Sequence, residues 1–332
     1  MSNDQYRNIL VTGGAGFIGT NFIHYVLNHC VDVNVINLDA LTYSGNLENL
    51  HSIERDPRYQ FVHGDICDRD LVRPLIQKCD AVVHFAAESH VDRSINNAAP
   101  FLSTNILGTQ VLLEACRNAS GDPRRMLYVS TDEVYGSLEL DVPEIRFSES
   151  SPMAPNSPYA ASKASGDLLV RAAHHTHGMN VVTTRCSNNF GPYQYPEKVI
   201  PLFVTNLMQG KKVPLYGDGL NVRDWIHVDD HCEAVWQVLQ QGQTGEVYNI
   251  GGNNERSNLE LTHGILDAMN LGQEMIEYVP DRLGHDRRYA IDGSKIKSDL
   301  GWSPTRSDWP DALESTIRWY RDHQEWWSRL QR

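Results

Sequence analysis

The sequence predicts an α/β fold in which a doubly wound parallel sheet, covered by helices on both faces, is joined to a smaller α/β lobe. Two observations support this prediction. Short, nearly continuous apolar runs alternate with segments of helical periodicity over the first 185 residues, which is the pattern of a sheet that is buried on both faces. After residue 185 the chain becomes rich in Asn, Gly, Pro and Tyr, which indicates a second unit.

The sheet region is expected to contain six strands separated by helices. The first strand, at residues 7–12, ends at glycines, and helical periodicity follows through Ile18, Phe22 and Val26. The remaining strands are predicted at residues 32–38, 60–63, 81–85, 126–130 and 180–184, and further helices at 71–79, 100–117 and 159–177.

The second unit is expected to be interleaved with the first. Helices are predicted at residues 199–209 and 229–241, a strand at 246–250, and a Trp-rich helix at 308–330. We therefore assign residues 1–185 to the first domain, with 225–250 returning to it, and residues 186–332 to the smaller lobe.

The composition is that of an ordinary soluble globular protein. Of the 332 residues 41% are hydrophobic, and the mean hydropathy is -0.43. No apolar stretch approaches the roughly 20 residues of a membrane helix, and a net charge of -13 argues against a nucleic-acid partner. The six cysteines form no C-x-x-C pair and the first residues lack a signal-peptide pattern, so we expect reduced thiols, a cytoplasmic location and no metal site.

A glycine-rich turn after the first strand has the spacing of a dinucleotide-binding loop. Gly13, Gly16 and Gly19 fall where such a loop needs a tight turn, close approach to a pyrophosphate and close helix packing. Asp39 follows about 20 residues later, at the end of the second strand, where a carboxylate accepts hydrogen bonds from the adenosine ribose and repels a 2′-phosphate. The turn therefore predicts a Rossmann-type domain that binds NAD in preference to NADP.

Two further loops follow predicted strands. Gly64-Asp65-Ile66 ends the third strand, where a carboxylate could contact the adenine, and residues 85–90 end the fourth. In the latter, Ala86 and Ala87 are small enough to let the backbone approach a cofactor, because ligands of such sheets bind at the carboxyl ends of the strands. His90, in the same loop, is expected to have a structural role.

The reacting centre is predicted around Thr131, Asp132, Glu133, Tyr159 and Lys163. The first three follow an apolar strand directly, and the Tyr and Lys are four residues apart on one face of a predicted helix. A tyrosine has an ordinary pKa of about 10. The Lys ammonium and a positively charged nicotinamide are expected to lower it, so that the Tyr can accept a proton from a hydroxyl group.

The adjacent acids Asp132 and Glu133 indicate a second chemical task, because hydride transfer needs only the Tyr and Lys. Like charge and partial burial raise the pKa of one carboxyl, so one can stay protonated while the other is ionised. Such a pair can move protons so that water leaves the substrate. Taken singly, either acid could instead be solvated or could cap a turn.

These motifs resemble those of the extended short-chain dehydrogenase/reductase family. The resemblance runs nearly end to end and is carried by the glycine turn, by Tyr159 and Lys163, and by residues 39–46, 86–94, 130–136, 186–192 and 281–289. Leu283 stands where the family usually has Pro. The resemblance is greatest to the branch of NAD-dependent enzymes that dehydrate nucleotide sugars, and it implies the substrate dTDP-glucose.

The resemblance also implies the residues of each site. Tyr159, Lys163 and Thr131 would serve oxidation at carbon 4 of the sugar, Glu133 would be the general base and Asp132 the general acid for the loss of water, and the hydride would return to carbon 6. The implied cofactor contacts are Gly13, Gly16, Phe17, Ile18, Gly19, Asp39, Ala40, Leu41, Thr42, Asp65, Ile66, Phe85, Ala86, Ala87, Ser89, Thr104, Tyr159, Lys163 and Asn189. The implied substrate contacts are Ser89, Thr131, Asn188, Lys198, Val199, Pro214, Leu215, Tyr216, Arg223, Asn258, Asp281, Arg282, His285 and Tyr289.

Alternative functions remain open at this point. A nucleotide-sugar 4-epimerase, or a dehydratase of UDP- or GDP-sugars, would share most of these motifs, although epimerases of the family often lack the acid pair. A non-catalytic NAD sensor would be expected to lack Tyr159 and Lys163, and both are present.

A homodimer is the expected assembly. The segments 100–117 and 159–177 carry broad apolar stripes, and in this family such helices pair across a two-fold axis to form a four-helix interface. The stripes could alternatively cover only their own sheet.

Overall fold

A computed structural model describes residues 5–122, 124–281 and 284–331. Its main sheet contains seven parallel strands in the order β10-β6-β5-β4-β1-β2-β3. Two smaller sheets have the strand orders β11-β9-β7 and β12-β8. The strands are β1 Asn8–Thr12, β2 Asn34–Asp39, β3 Tyr59–His63, β4 Ala81–His84, β5 Arg125–Thr131, β6 Val181–Cys186, β7 Asn188–Phe190, β8 Val213–Tyr216, β9 Val222–His227, β10 Val247–Ile250, β11 Glu255–Ser257 and β12 Ile276–Val279.

Helices cover both faces of the main sheet, which confirms the predicted fold class. The helices are α1 Phe17–His29, α2 Arg69–Gln77, α3 Val91–Asn96, α4 Ala99–Phe101, α5 Thr109–Arg117, α6 Pro158–His177, α7 Val199–Met208, α8 Val228–Gln241, α9 Asn258–Met269, α10 Ser294–Leu300, α11 Asp311–Asp322 and α12 Gln324–Leu330. One apolar core joins α1 and α8 to the sheet, and a second joins α2, α5 and α6 to it. None of the described helices is long and apolar enough to span a membrane.

The segment after β6 contributes to both parts of the structure. Its strand β10 pairs in parallel with β6, and α8 packs against α1, whereas α7, α9, α11 and α12 enclose a separate apolar core. The placement of a domain boundary at residue 185 stays a prediction.

Two of the predicted helices are interrupted. The segment predicted at 100–117 contains a π-helical turn, Leu102–Gly108, between α4 and α5, and such wide turns are frequent at functional sites. The Trp-rich segment predicted as one helix is divided at His323, whose ψ of 41° is not helical. The division lets Trp327 fold back and donate its indole N–H to the carbonyl of Tyr320 at 2.8 Å.

A buried ion pair fixes α6 on the sheet. The Arg185 guanidinium, on β6, donates to both carboxylate oxygens of Asp167 on α6, at 2.8 and 3.0 Å. It also donates to the hydroxyl of Tyr135 at 2.9 Å. This forked geometry is the most specific that a carboxylate can make, and it holds α6 in register with the turn that follows β5.

Candidate functional site

The candidate active site is a cleft of about 310 Å³ along the carboxyl edge of the main sheet. The loops after β1, β2, β3, β4, β5 and β6 all contribute to its walls. In parallel strands these ends lie on the same side, so loops that are distant in sequence meet there.

The glycine turn has the close approach that its sequence predicts. Gly13 has a φ of +72°, and a Cβ on it would lie 2.6 Å from the backbone nitrogen of Ala86. The helix α1 begins directly after Gly16, which offers no side-chain cap. Its first amide groups are therefore available for a phosphate, and the helix dipole favours an anion at this end.

Asp39 is held by the backbone of the cofactor loops. Its two carboxylate oxygens accept hydrogen bonds from the amides of Ala15 and Leu41, each at 2.8 Å. Burial raises the pKa of Asp39, and the two amide hydrogen bonds oppose this rise. The carboxylate retains further lone pairs for the hydroxyl groups of a ribose.

The predicted cofactor contacts converge on the cleft. All of them line its wall except Leu41, which has a φ of 51° and contributes its amide to Asp39. Ser130 Oγ, Asn188 Oδ1 and Gln194 Oε1 are buried in this wall without a hydrogen-bond partner in the described structure. Buried polar atoms of this kind fit a polar ligand, so the residues present fit NAD.

The π-helical turn between α4 and α5 also contributes to the wall of the cleft. Thr104 lines the cleft, and the Asn105 side chain bonds both the amide and the carbonyl of Glu88 at 2.9 and 3.0 Å. The turn thus holds the loop after β4 in place.

The predicted acid pair begins a short turn at the end of β5. The turn is a 3₁₀ helix, Asp132–Tyr135, with Thr131 as its N-cap. The amide of Glu133 donates to Thr131 Oγ1, and this hydroxyl donates to Asp132 Oδ1, both at 3.4 Å. All three residues line the cleft.

The environment of Asp132 favours its protonated form. The pKa of its carboxyl is raised well above the ordinary value, chiefly by burial and then by the charges of Glu133 and Asp224. The Arg223 guanidinium and the Thr131 hydroxyl oppose this rise. The Asp132 carboxyl therefore keeps its proton to higher pH than an exposed aspartate does.

Tyr159 and Lys163 lie on the first turns of α6 and face the cleft. The Lys163 ammonium donates to the carbonyl of Val129 at 2.7 Å, and burial lowers its pKa to about 8. The expected lowering of the pKa of Tyr159 by Lys163 and a bound nicotinamide together stays a prediction, and in the protein alone the pKa of Tyr159 is raised. Burial and the nearby Glu133 raise that pKa, and only the Thr131 hydroxyl among the principal contacts lowers it.

The predicted substrate contacts fall into two groups. Ser89, Thr131, Asn188 and Lys198 line the cleft, and the Lys198 ammonium donates to the Ser89 carbonyl at 3.2 Å. The others among the described residues lie outside its wall, namely Val199, Pro214, Leu215, Tyr216, Arg223, Asn258, Asp281, His285 and Tyr289. Arg282 and Leu283 lie outside the described residues.

Two members of the second group, Arg223 and Tyr289, interact with the acid pair. The Arg223 guanidinium lies 4.3 Å from the Tyr289 ring centre, and Asp281 pairs with His285 at 2.6 Å. Arg223 lowers the pKa of Asp132, and the charge of Glu133 contributes to raising that of Tyr289. Arg223 and Tyr289 therefore lie within electrostatic reach of the acid pair.

Several residues of the cleft wall are not among the predicted contacts, although two of them, Tyr43 and Glu88, lie in segments that carry the family resemblance. They include Tyr43, Glu88, Gln194, Tyr195 and Glu197. Glu197 pairs with Arg93 at 3.1 Å, and the Arg93 guanidinium covers the Tyr43 ring at 3.8 Å. These contacts join the loop after β2, the helix α3 and the segment before α7. Of them, only the Glu197 contact could have been indicated by the sequence, from the position of Glu197 beside Lys198.

Comparison with known proteins gives a consistent result over nearly the whole chain. Residues 10–308 match the family model described as GDP-mannose 4,6 dehydratase. A dTDP-glucose 4,6-dehydratase of Streptomyces niveus is 55% identical over 327 residues, which cover 97% of this chain and 95% of the relative.

Solved structures of other proteins are also similar to this chain over nearly its whole length. The dTDP-glucose 4,6-dehydratase DesIV of Streptomyces venezuelae, with NAD and TYD bound, has a TM-score of 0.93 and 51% identity, covering 97% of this chain and 99% of that one. A UDP-glucose 4-epimerase of Thermotoga maritima has a TM-score of 0.85 at 28% identity, covering 96% and 99%.

The raised pKa of Asp132 predicts a pH-dependent effect of the Asp132→Asn substitution. The folded protein keeps this proton to higher pH than the unfolded chain, so the carboxyl costs stability as the pH rises above about 4. Between about pH 4 and about pH 8, Asp132→Asn should become more stable relative to wild type, by about 1.4 kcal/mol for each unit of raised pKa that is titrated.

Urea unfolding at both pH values measures this difference. Asp32→Asn, which removes an exposed carboxyl, is the control for the loss of one negative charge. A stability difference between Asp132→Asn and wild type that does not change with pH would contradict the prediction.

Proposed function

The chain belongs to the NAD-dependent epimerase/dehydratase family, and within it to the dTDP-glucose 4,6-dehydratases, and we propose that it converts dTDP-glucose to dTDP-4-keto-6-deoxyglucose and water. The observation that carries this proposal is the acid pair Asp132 and Glu133 in the same cleft as Tyr159 and Lys163. Bound NAD would supply the acceptor, and later the donor, of the hydride.

Tyr159, Lys163 and Thr131 serve the oxidation at carbon 4. The Tyr159 oxygen accepts the proton of the 4-hydroxyl as the hydride leaves carbon 4. Thr131 hydrogen-bonds to the 4-oxygen, and Lys163 together with the positive nicotinamide favours the phenolate. Burial and the charge of Glu133 raise the pKa of Tyr159, and these two positive charges oppose that rise.

The acid pair serves the elimination. The 4-ketone acidifies the proton on carbon 5, and the Glu133 carboxylate removes it. The bond from carbon 6 to its hydroxyl breaks as Asp132 donates a proton, so that water leaves. The hydride then adds to carbon 6 while a proton returns to carbon 5, which completes the balance and leaves the cofactor as it began.

The nucleotide is bound by the remaining predicted contacts in this proposal. Lys198, Arg223, Asn188 and Asn258 contact the sugar and the diphosphate, since guanidinium and amide groups suit phosphate oxygens. Asn189 contacts the nicotinamide end of the cofactor. The run from Pro214 to Tyr216 contacts the thymine, and Asp281, His285 and Tyr289 complete the nucleotide site. The family resemblance adds Arg282 to these contacts.

A dehydratase is favoured over an epimerase by the acid pair itself. An epimerase oxidises and reduces the same carbon and needs no group that protonates a leaving hydroxyl. Asp132 is buried with a raised pKa, which suits a general acid at neutral pH. In the same direction, identity to the dehydratase DesIV is 51%, against 28% to the epimerase.

The assembly in this proposal is a homodimer formed through α5, α6 and the turn that precedes α5. Leu102, Leu107 and Leu168 are 48%, 60% and 51% exposed on this surface, and a shallow groove between α5 and α6 lies beside them. Exposed apolar side chains on neighbouring helices indicate a contact surface. None of the six cysteines, all of which lie in the described part of the chain, forms a disulfide, which supports a reducing, cytoplasmic location.

Glu133→Gln should separate the two stages of the reaction. With dTDP-glucose, this variant should still transfer hydride to NAD, but water loss should slow by about 10²–10⁴-fold because the general base is gone. Reduced-nicotinamide absorbance would then accumulate. Tyr159→Phe should instead block the oxidation, so that no such absorbance develops.

Glu54→Gln is the matched control for this experiment, because Glu54 is an exposed carboxylate outside the cleft wall. It should turn over dTDP-glucose at close to the wild-type rate. Normal turnover by Glu133→Gln would show that Glu133 is not the base.

Negative charges introduced by substitution at the proposed dimer surface should dissociate the dimer. The double variant Leu107→Asp, Leu168→Asp would bury two carboxylates in the interface at a cost of several kcal/mol. Sedimentation should show a dimer for wild type and a monomer for this variant. Val31→Asp, at a 78% exposed position outside the surface, should stay dimeric, and a wild type that sediments as a monomer would refute the proposed assembly.

A further inference from the structure

We propose that Trp326, on the C-terminal helix α12, is a positioning residue for the dinucleotide turn, and that its indole N–H orients the Asn49 amide that holds the carbonyl of Ala15. The proposal rests on the function of the cleft as an NAD site. It assigns a role to the Trp-rich segment, which the reaction itself does not use.

Trp326 and Asn49 are far apart in the sequence but in contact in the fold. Trp326 Nε1 donates to Asn49 Oδ1 at 2.8 Å, and Asn49 Nδ2 donates to the carbonyl of Ala15 at 3.3 Å. Asn49 is buried in the turn that follows β2. A residue 277 positions away thus determines which way a buried amide faces.

The orientation of the Asn49 amide follows from its two partners. The indole N–H can only donate and the Ala15 carbonyl can only accept. A rotated amide would direct its NH₂ group at the indole N–H and its oxygen at the carbonyl, so both contacts would be repulsive. The orientation is therefore imposed by Trp326 from one side and by Ala15 from the other.

The backbone of Ala15 links the Asn49 amide to Asp39, the predicted ribose-binding acid. Its carbonyl also accepts the amide of Asn46 at 2.9 Å, and its own amide donates to Asp39 Oδ2 at 2.8 Å. Ala15 lies between Gly13 and Gly16 of the dinucleotide turn. The carbonyl and the amide of Ala15 belong to the two peptide groups on either side of its Cα, so a shift of the carbonyl changes the backbone torsions of Ala15 and with them the direction of the N–H that Asp39 accepts.

The surrounding contacts hold Trp326 in position. Its ring packs against those of Trp319 and Tyr193, with centres 5.1 and 5.9 Å apart. On the same helix, Arg329 pairs with Glu48 at 2.9 Å. The helix is therefore fixed to the turn that contains Asn49 at more than one point.

Trp326→Phe tests the proposal because it keeps an aromatic ring and removes the N–H. We expect the dissociation constant of NAD to rise about fivefold, the effect of losing one hydrogen bond near 1 kcal/mol. Calorimetric titration measures it. ADP-ribose, which has the adenosine and pyrophosphate but no nicotinamide, should lose affinity by the same factor, whereas affinity for dTDP should not change.

Trp327→Phe is the matched control. Trp327 is the neighbouring residue, and its indole N–H bonds to Tyr320 within the C-terminal helices and not to Asn49. This variant should bind NAD as wild type does. An equal loss of NAD affinity in both variants would mean that the helix acts only through general stability and would overturn the proposal.

Asn49→Ala supplies the second test, which holds even if Trp326→Phe does not fold. The Asn49→Ala substitution should weaken NAD binding by itself. Adding Trp326→Phe should not weaken NAD binding further, because the hydrogen bonds from Trp326 through Asn49 to Ala15 are already lost. Unchanged NAD affinity in Asn49→Ala, or a further loss in the double variant, would overturn the proposal. Failure of wild type to bind NAD would instead refute the proposed function.

Discussion

The parallel alignment of the main strands is the constraint on which the site depends. Because β1, β2, β4, β5 and β6 run in the same direction, their carboxyl ends meet along one edge. The glycine turn and the acid pair directly follow β1 and β5, and Asp39, the proposed ribose-binding acid, is the last residue of β2. The Arg185–Asp167 ion pair then fixes α6, and with it Tyr159 and Lys163, against the same edge.

Burial sets the electrostatics of the reacting centre. It raises the pKa of Asp132 and Tyr159 and lowers that of Lys163, so each of these groups is shifted towards its neutral form. A neutral acid at Asp132 is useful for expelling a hydroxyl. Charges that develop during the reaction arise beside groups that are already arranged and shielded from water, where they interact strongly.

Much of the fold and of the cleft could be predicted because the information is local. Apolar runs with glycines at their ends marked the strands, and strand ends marked the loops that bind ligands. The pKa of Tyr159 could not be predicted, because burial depends on packing by distant segments. The division of the C-terminal helix at His323, the Glu197–Arg93 pair and the Trp326–Asn49 bond also depend on residues far apart in sequence, and no local pattern marks them.

Transfer of the hydride from carbon 4 to carbon 6 of one sugar is the central claim. The most direct test uses dTDP-glucose that carries deuterium on carbon 4, with the product examined by mass spectrometry and NMR. The account predicts a dTDP-4-keto-6-deoxy sugar with the deuterium on carbon 6. A product of unchanged mass with inverted carbon 4, or a dehydrated product without deuterium on carbon 6, would contradict it.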